Sequence, residues 1–181
     1  TESGGQQPAS GAGVLGTWAV IATNFLVGTE PMRLWVVDVR DSRRAFSLQP
    51  FPDTALGLSC NPEKPALDVE NRRILVNDLF ADELAGVDVG PNGLSVAWRR
   101  PMLSIYFAPL VGSAANRELV LPDFNAGKHR LTWIDVRTGS LVARTQPVSG
   151  NMTSSYVVPG FDGRYFHITD EGGLYSVRAV R

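Results

Sequence analysis

Three aspartates recur in one local setting, each after an apolar residue and before a turn: Val37-Asp38, Val87-Asp88 and Ile134-Asp135. Carboxylates repeated at equivalent positions could ring a channel and bind a cation. They could instead accept backbone N–H bonds and fix the corner of each turn. Their equivalence between copies favours the corner. His129 and His167 are the only histidines, so imidazole ligation or proton transfer would rest on these two. His129 lies between Lys128 and Arg130 in an expected hairpin loop, and His167 alternates with Phe166 and Ile168 in the strand RYFHITD. The two could act together only if the fold brings them together, and no HxH or HExxH spacing joins either to a partner. His129, Arg130 and His167 are the candidate ligand-binding residues. No catalytic residue is assigned, no metal site is expected, and the cofactor is left undefined.

Other chemistries find little support. Cys60 is the single cysteine, which excludes an intrachain disulfide and a thiolate zinc site, and no basic neighbour or helix start activates it. A GxSxG elbow and a glycine-rich phosphate loop are both missing. Thr1 is followed by a glycine-rich stretch that offers an N-terminal nucleophile no rigid setting. Asp88 to Gly93 lacks the alternating carboxylates of a calcium loop and reads as a turn. Asn151-Met152-Thr153 has the form of a glycosylation sequon, with meaning only in a secretory eukaryotic setting. Trp18, Trp35, Trp98 and Trp133 are expected to pack between sheets.

The elements that must position these residues repeat. LWVVDVRDSRRAFSLQP from Leu34, LAGVDVGPNGLSVAWRRP from Leu84, LTWIDVRTGSLVARTQP from Leu131 and LYSVRAVR from Leu174 align. Asp38, Asp88, Asp135 and Arg178 then stand 50, 47 and 43 residues apart. The first three copies pass through a turn (Asp41-Ser42, Pro91-Asn92-Gly93, Thr138-Gly139) into a further strand. Each copy is preceded by a strand: WAVIATN, RILVNDL, RELVLPDF and RYFHITD. Apolar runs lie upstream again at ALGLSC (55–60), LSIYFAP (103–109) and SYVVPG (155–160). Four strands in 43 to 50 residues is the period of a β-propeller blade. Asp78 to Gly86 carries the end signals of a short helix, but a strand keeps the repeat in register. The expected domain is 14–181, in units 14–52, 53–101, 102–149 and 150–181, after a flexible tail at 1–13 without a large apolar side chain. The first unit lacks an initial strand unless the tail supplies it, and the last stops after its third. Either four blades close on themselves or the chain is part of a larger propeller.

VVPGFDGRYFHITDEGGLYSVRAV and WIDVRTGSLVART resemble the repeats of bacterial YVTN-type and quinoprotein-like β-propellers. The resemblance covers residues 17 to 181 at the level of pattern, and Asn61 to Glu70, Gly86 and Arg178 depart from it. It implies an all-β propeller.

Composition narrows the partners. Seventeen basic against eighteen acidic residues give a net charge of −1, which argues against a nucleic-acid or anionic-lipid surface. Fifteen of the basic residues are Arg, a bias that genome base composition produces as readily as function does. Hydrophobic residues make up 44% of the chain, yet no run approaches the roughly 20 residues of a membrane span. A start at Thr1 without Met fits a processed, exported protein, periplasmic or extracellular, or a recombinantly trimmed chain. The leading expectation is a binding or scaffold module whose loops meet a small ligand or a protein, the latter a partner or another copy that completes the propeller. Its rival, implied by the resemblance, is the propeller portion or a subunit of an exported enzyme, a quinoprotein-like dehydrogenase or a lyase, with its site at the central channel.

Overall fold

Apolar residues spaced two apart in short runs build strands here because alternate side chains reach one face and bury together. The structure is a computed structural model that describes residues 11–23, 31–53, 64–102, 109–125, 128–147, 157–168 and 172–178. Among them the chain folds into four antiparallel sheets, each a meander of neighbouring strands. The first sheet holds β1 (Gly13–Leu15), β2 (Trp18–Ala22), β3 (Leu34–Asp38) and β4 (Ala45–Leu48). The second holds β5 (Ala66–Asp68), β6 (Arg73–Asp78), β7 (Glu83–Gly90) and β8 (Gly93–Pro101). The third holds β9 (Leu110–Val111), β10 (Glu118–Asn125), β11 (Lys128–Asp135) and β12 (Leu141–Arg144). The fourth has three strands, β13 (Val158–Pro159), β14 (Arg164–Ile168) and β15 (Leu174–Arg178). One 3-10 turn, Ala114–Asn116, precedes β10. Among the described residues no helix is long and apolar enough to cross a membrane.

The repeated apolar-Asp segment is the third strand of every sheet, β3, β7, β11 and β15, as the alignment of copies requires. Among the described residues the first strands of the second and third sheets are Ala66–Asp68 (β5), inside the stretch 61–70 that departs from the resembled repeat, and Leu110–Val111 (β9). Residues 103–108 of the apolar run at 103–109 lie outside the described residues. The run at 55–60 lies outside the described residues, as do Thr1, Cys60 and Asn151 to Thr153. Gly13, the last residue of the expected tail, opens β1 and gives the first sheet its initial strand. No helix forms at 78–86. Asp78 ends β6, a turn spans 79–82, and β7 begins at Glu83.

The chain divides into two compact units, Thr1–Pro101 and Met102–Arg181. In the first, one face of the β1–β4 sheet packs against one face of the β5–β8 sheet. Leu15, Trp18, Val20, Leu34 and Val36 meet Ile74, Val76, Ala85, Val87 and Val89 in one cluster. Each fully buried aliphatic side chain there contributes about 1.5–3 kcal/mol. Gly86 sits in the middle of β7 because the Trp98 indole covers it. A Cβ at that position would come within 2.5 Å of the ring. The ladder between β7 and β8 shifts register at Gly86/Val87, which is the bulge that a glycine in a strand often marks.

In the second unit, Trp133 of β11 meets Tyr165 of β14 edge to face, with ring centroids 5.4 Å apart. The turn before β14 is Phe161-Asp162-Gly163-Arg164, closed by Arg164 N–H donating to the Phe161 carbonyl at 3.1 Å. Asp162 and Gly163 both have positive φ, 56° and 69°. This is the Asp-Gly hairpin chemistry that the sequence displays.

Candidate functional site

The repeat aspartates divide into two kinds of work. Asp38 is 2% exposed at the end of β3 and accepts from the Arg40 backbone N–H at 3.0 Å and the Arg40 guanidinium at 3.3 Å. Arg44 reaches the same carboxylate at 3.5 Å while its guanidinium lies over the Trp18 ring, 5.4 Å from the centroid. The hydrogen bonds from Arg40 hold the Asp38 carboxyl below the usual carboxylate range. Asp135 accepts from the Thr138 backbone N–H at 2.8 Å and from the Thr138 hydroxyl at 3.1 Å. These two fix corners. Asp88 does not: Arg73, directly across the β6–β7 ladder, donates to it at 2.7 Å. All three carboxylates are therefore engaged by the fold.

Two further buried aspartates do the same work and carried no repeat signal. Asp78 accepts from the backbone N–H groups of Phe80 at 2.9 Å and Ala81 at 3.2 Å. Asp68 accepts from the Asn71 side-chain amide at 2.7 Å and its backbone N–H at 3.3 Å. An Asp directly ahead of turn residues was the available clue.

The candidate residues His129, Arg130 and His167 all lie in the second unit, on two surfaces. Successive residues of β11 point to opposite faces, so His129 shares a face with Leu131 and Trp133, and Arg130 takes the other. Tyr165, the partner of Trp133, shares a face of β14 with His167. The facing surfaces of these two sheets thus carry both histidines. His167 is 1% exposed, and its ring stacks on Tyr175, its register partner in β15, at 6.2 Å. Burial, and then the nearby His129, push its imidazole below the ordinary histidine value. Neither ring nitrogen of His167 has a hydrogen-bond partner, and neither has the indole N–H of Trp133, which is 2% exposed. This buried imidazole, pushed toward its neutral form and without a hydrogen-bond partner, is the polar group of this interface that the fold leaves idle.

Arg130 stands directly across the β10–β11 ladder from Asp123. Asp123 is 2% exposed and ion-paired with Arg144 at 3.1 Å. Thr132, on the same face and fully buried, has a hydroxyl without a hydrogen-bond partner. Arg130 thus stands opposite a residue of the Asp123–Arg144 ion pair, apart from the histidine side of the sheet. Sequence reasoning missed Asp123 and Arg144. The signal was a charged residue inside the apolar strand ELVLPDFN.

Of the tryptophans, Trp18 and Trp133 pack between sheets, Trp98 covers a glycine of its own sheet, and Trp35 is half-buried on the outer face of the first sheet. Among the described residues no group of three or more His, Cys, Asp or Glu is placed to hold a metal.

No family model matches the chain, and neither does a curated protein. Solved structures do. The β-propeller domain of Cps50 (Swd1) from Myceliophteria thermophila superposes with a TM-score of 0.61 at 17% identity, over 98% of this chain and 55% of its own. The four sheets are β-propeller blades. The computationally designed Ika4 protein superposes with a TM-score of 0.52 at 8% identity, over 99% of this chain and 94% of its own. A europium-containing methanol dehydrogenase gives 0.51 at 14% identity, over 83% of this chain and 27% of its own. This blade-containing chain spans about half the length of the Swd1 propeller domain.

Proposed function

We propose that this protein is a propeller-blade binding module that engages a protein partner through the outer face of its last sheet, outside the cytoplasm. One observation carries the reading. On that face Leu174 is 67% exposed, Ile168 59% and Val158 54%, and Phe161 in the adjoining turn is 88% exposed. Register places Ile168 beside Leu174, and Phe166 beside Val158, so the apolar groups form one strip. A contiguous apolar strip open to water marks an interaction surface more often than an idle one. The repeat carboxylates, spent on turns and a cross-strand pair, support the same reading.

Titration of the dilute chain with 1-anilinonaphthalene-8-sulfonate tests it. Saturable binding should fall several-fold in Leu174→Asp while the melting temperature stays unchanged. Binding that ignores Leu174→Asp overturns the reading, and so does a melting temperature lowered as far as a core substitution lowers it. The second reading, the propeller part of an exported enzyme, draws on the idle buried imidazole of His167. A stoichiometric metal or a quinone absorbance in the protein isolated from its source would move the assignment there.

A further inference from the structure

The contact between the third and last sheets lies wholly within the second unit and is built from aromatic rings and imidazoles. Strand alternation puts His129, Leu131 and Trp133 on one face of β11, and Tyr165 and His167 on one face of β14. Trp133 against Tyr165 makes these the facing surfaces. Leu131, Trp133, Tyr165 and His167 are all buried there. The ladders name what else faces His167. β15 sets Tyr175 directly across from it and Val177 across from Tyr165. β10 adds Val120 across from Trp133 and Pro122 across from Leu131, and β13 (Val158–Pro159) carries no titratable side chain. The acidic residues of the β10–β11 face, Glu118 and Asp135, are register partners two residues beyond Trp133. His129 stands four residues from Trp133 in the opposite direction, and among the described residues it is the charge that acts on His167.

We infer that this contact is an acid-sensitive joint: a proton on buried His167 opens the β11–β14 interface to water while the first unit stays closed. Three observations support it. First, His167 is 1% exposed and both ring nitrogens lack a hydrogen-bond partner, so an imidazolium formed there carries a charge and two N–H donors that nothing receives. Second, the surroundings do not compensate. Tyr175 stacks on the ring at 6.2 Å, yet burial and then His129 still push the imidazole toward its neutral form. Third, both histidines of the chain lie in the second unit, so acid in the histidine range has no imidazole to charge in the first. Opening the contact gives water to the nitrogens of His167 and separates it from His129. The open form takes up a proton below about pH 6.5, before the closed form does. Each pH unit down to the lower closed-state value then favours the open form by up to about tenfold. The contact is therefore complete above about pH 6.5 and weakens as the pH falls. The joint does not depend on the outer face of the last sheet, so a failure of dye binding there leaves it standing.

Hydrogen–deuterium exchange of the full chain reads the outcome, peptide by peptide, at about pH 7.5 and about pH 5 with the intrinsic rate corrected for. Protection of 129–134 and 164–168 should fall at least about fivefold at the lower pH, while that of 73–78 and 84–89 stays within about twofold. His167→Leu should abolish the fall. His167→Gln, which keeps a polar side chain without a titrating ring, should abolish it as well and carries the comparison if the leucine variant does not fold. His129→Gln should shrink the fall without removing it, because one of the two causes that hold His167 neutral is gone and burial remains. Protection of both strands that is unchanged at the lower pH overturns the inference. So does a fall that survives the His167 variants, which would place the titrating group elsewhere. A fall that the first unit shares in full also overturns it, since that is general acid unfolding and not the opening of one contact.

Discussion

The two units treat buried polar groups in opposite ways. In the first, Asp38, Asp68 and Asp78 sit at strand ends, each at most 2% exposed, and each accepts backbone N–H bonds from the turn that follows. In the second, His167, the Thr132 hydroxyl and the Trp133 indole N–H lie inside strands, buried without hydrogen-bond partners. A made hydrogen bond contributes about 1 kcal/mol net, whereas a buried group left unpaired costs about 1–3 kcal/mol. The difference teaches where each unit spends its stability. The first unit uses its buried carboxylates to close corners, and the second, beside its Asp135 corner and Asp123–Arg144 pair, carries three buried polar groups without hydrogen-bond partners. It depends correspondingly more on aromatic packing.

That dependence gives the largest expected effect. Trp133→Ala removes a buried ring from its contact with Tyr165 and should cost about 3–5 kcal/mol in urea unfolding. Trp35→Ala, on the half-open outer face of the first sheet, should cost less than half as much. Equal losses would mean that the second unit is not held by Trp133, and the contrast between the units would fail.

Much of this was legible in the residues. The spacing of Asp38, Asp88, Asp135 and Arg178 located the third strand of every sheet, because a repeated strand must return to the same place in each blade. The Asp162-Gly163 turn was readable from its chemistry alone. The first strands were harder. β5, β9 and β13 have only two or three residues, too few for alternation to show, and their pairing depends on the longer neighbour. Gly86 read as a weak point in a strand, since nothing nearby in sequence reveals that Trp98 will cover it. For the candidate site, His129 and His167 could be named but not brought together, because the 37 residues between them hide which sheet faces meet. Arg130 was grouped with them by adjacency, and the alternation of β11 separates it.

His167 supplies the second test of the contrast. Its imidazole is held below the ordinary histidine value, so the unfolded chain takes up a proton before the folded chain does. The stability tied to this group is complete above about pH 6.5 and is lost as the pH falls through the lower folded value. The groups facing it are His129 from β11 and Tyr175 from β15. His167→Leu removes the unpaired nitrogens and should raise stability by about 1–3 kcal/mol. It should also flatten the pH dependence of melting just below pH 6.5, leaving the loss in the carboxylate range that Asp38 contributes, since its carboxyl is held low and protonates only in stronger acid. A variant as acid-sensitive in the histidine range as wild type would show that His167 is not the titrating group.

The smallest expected effect sharpens the other side. Asp78 accepts from the Phe80 and Ala81 N–H groups through Oδ1, an oxygen that asparagine also carries. Asp78→Ala should therefore cost about 1 kcal/mol, and Asp78→Asn less than half of that, both read from chemical denaturation midpoints at unchanged slope. The order matters more than the size. Equal losses in the two variants would mean that the charge of Asp78, not its acceptor, holds the corner. The first unit would then owe its corners to electrostatics, and raising the ionic strength should weaken wild type as much as Asp78→Asn does.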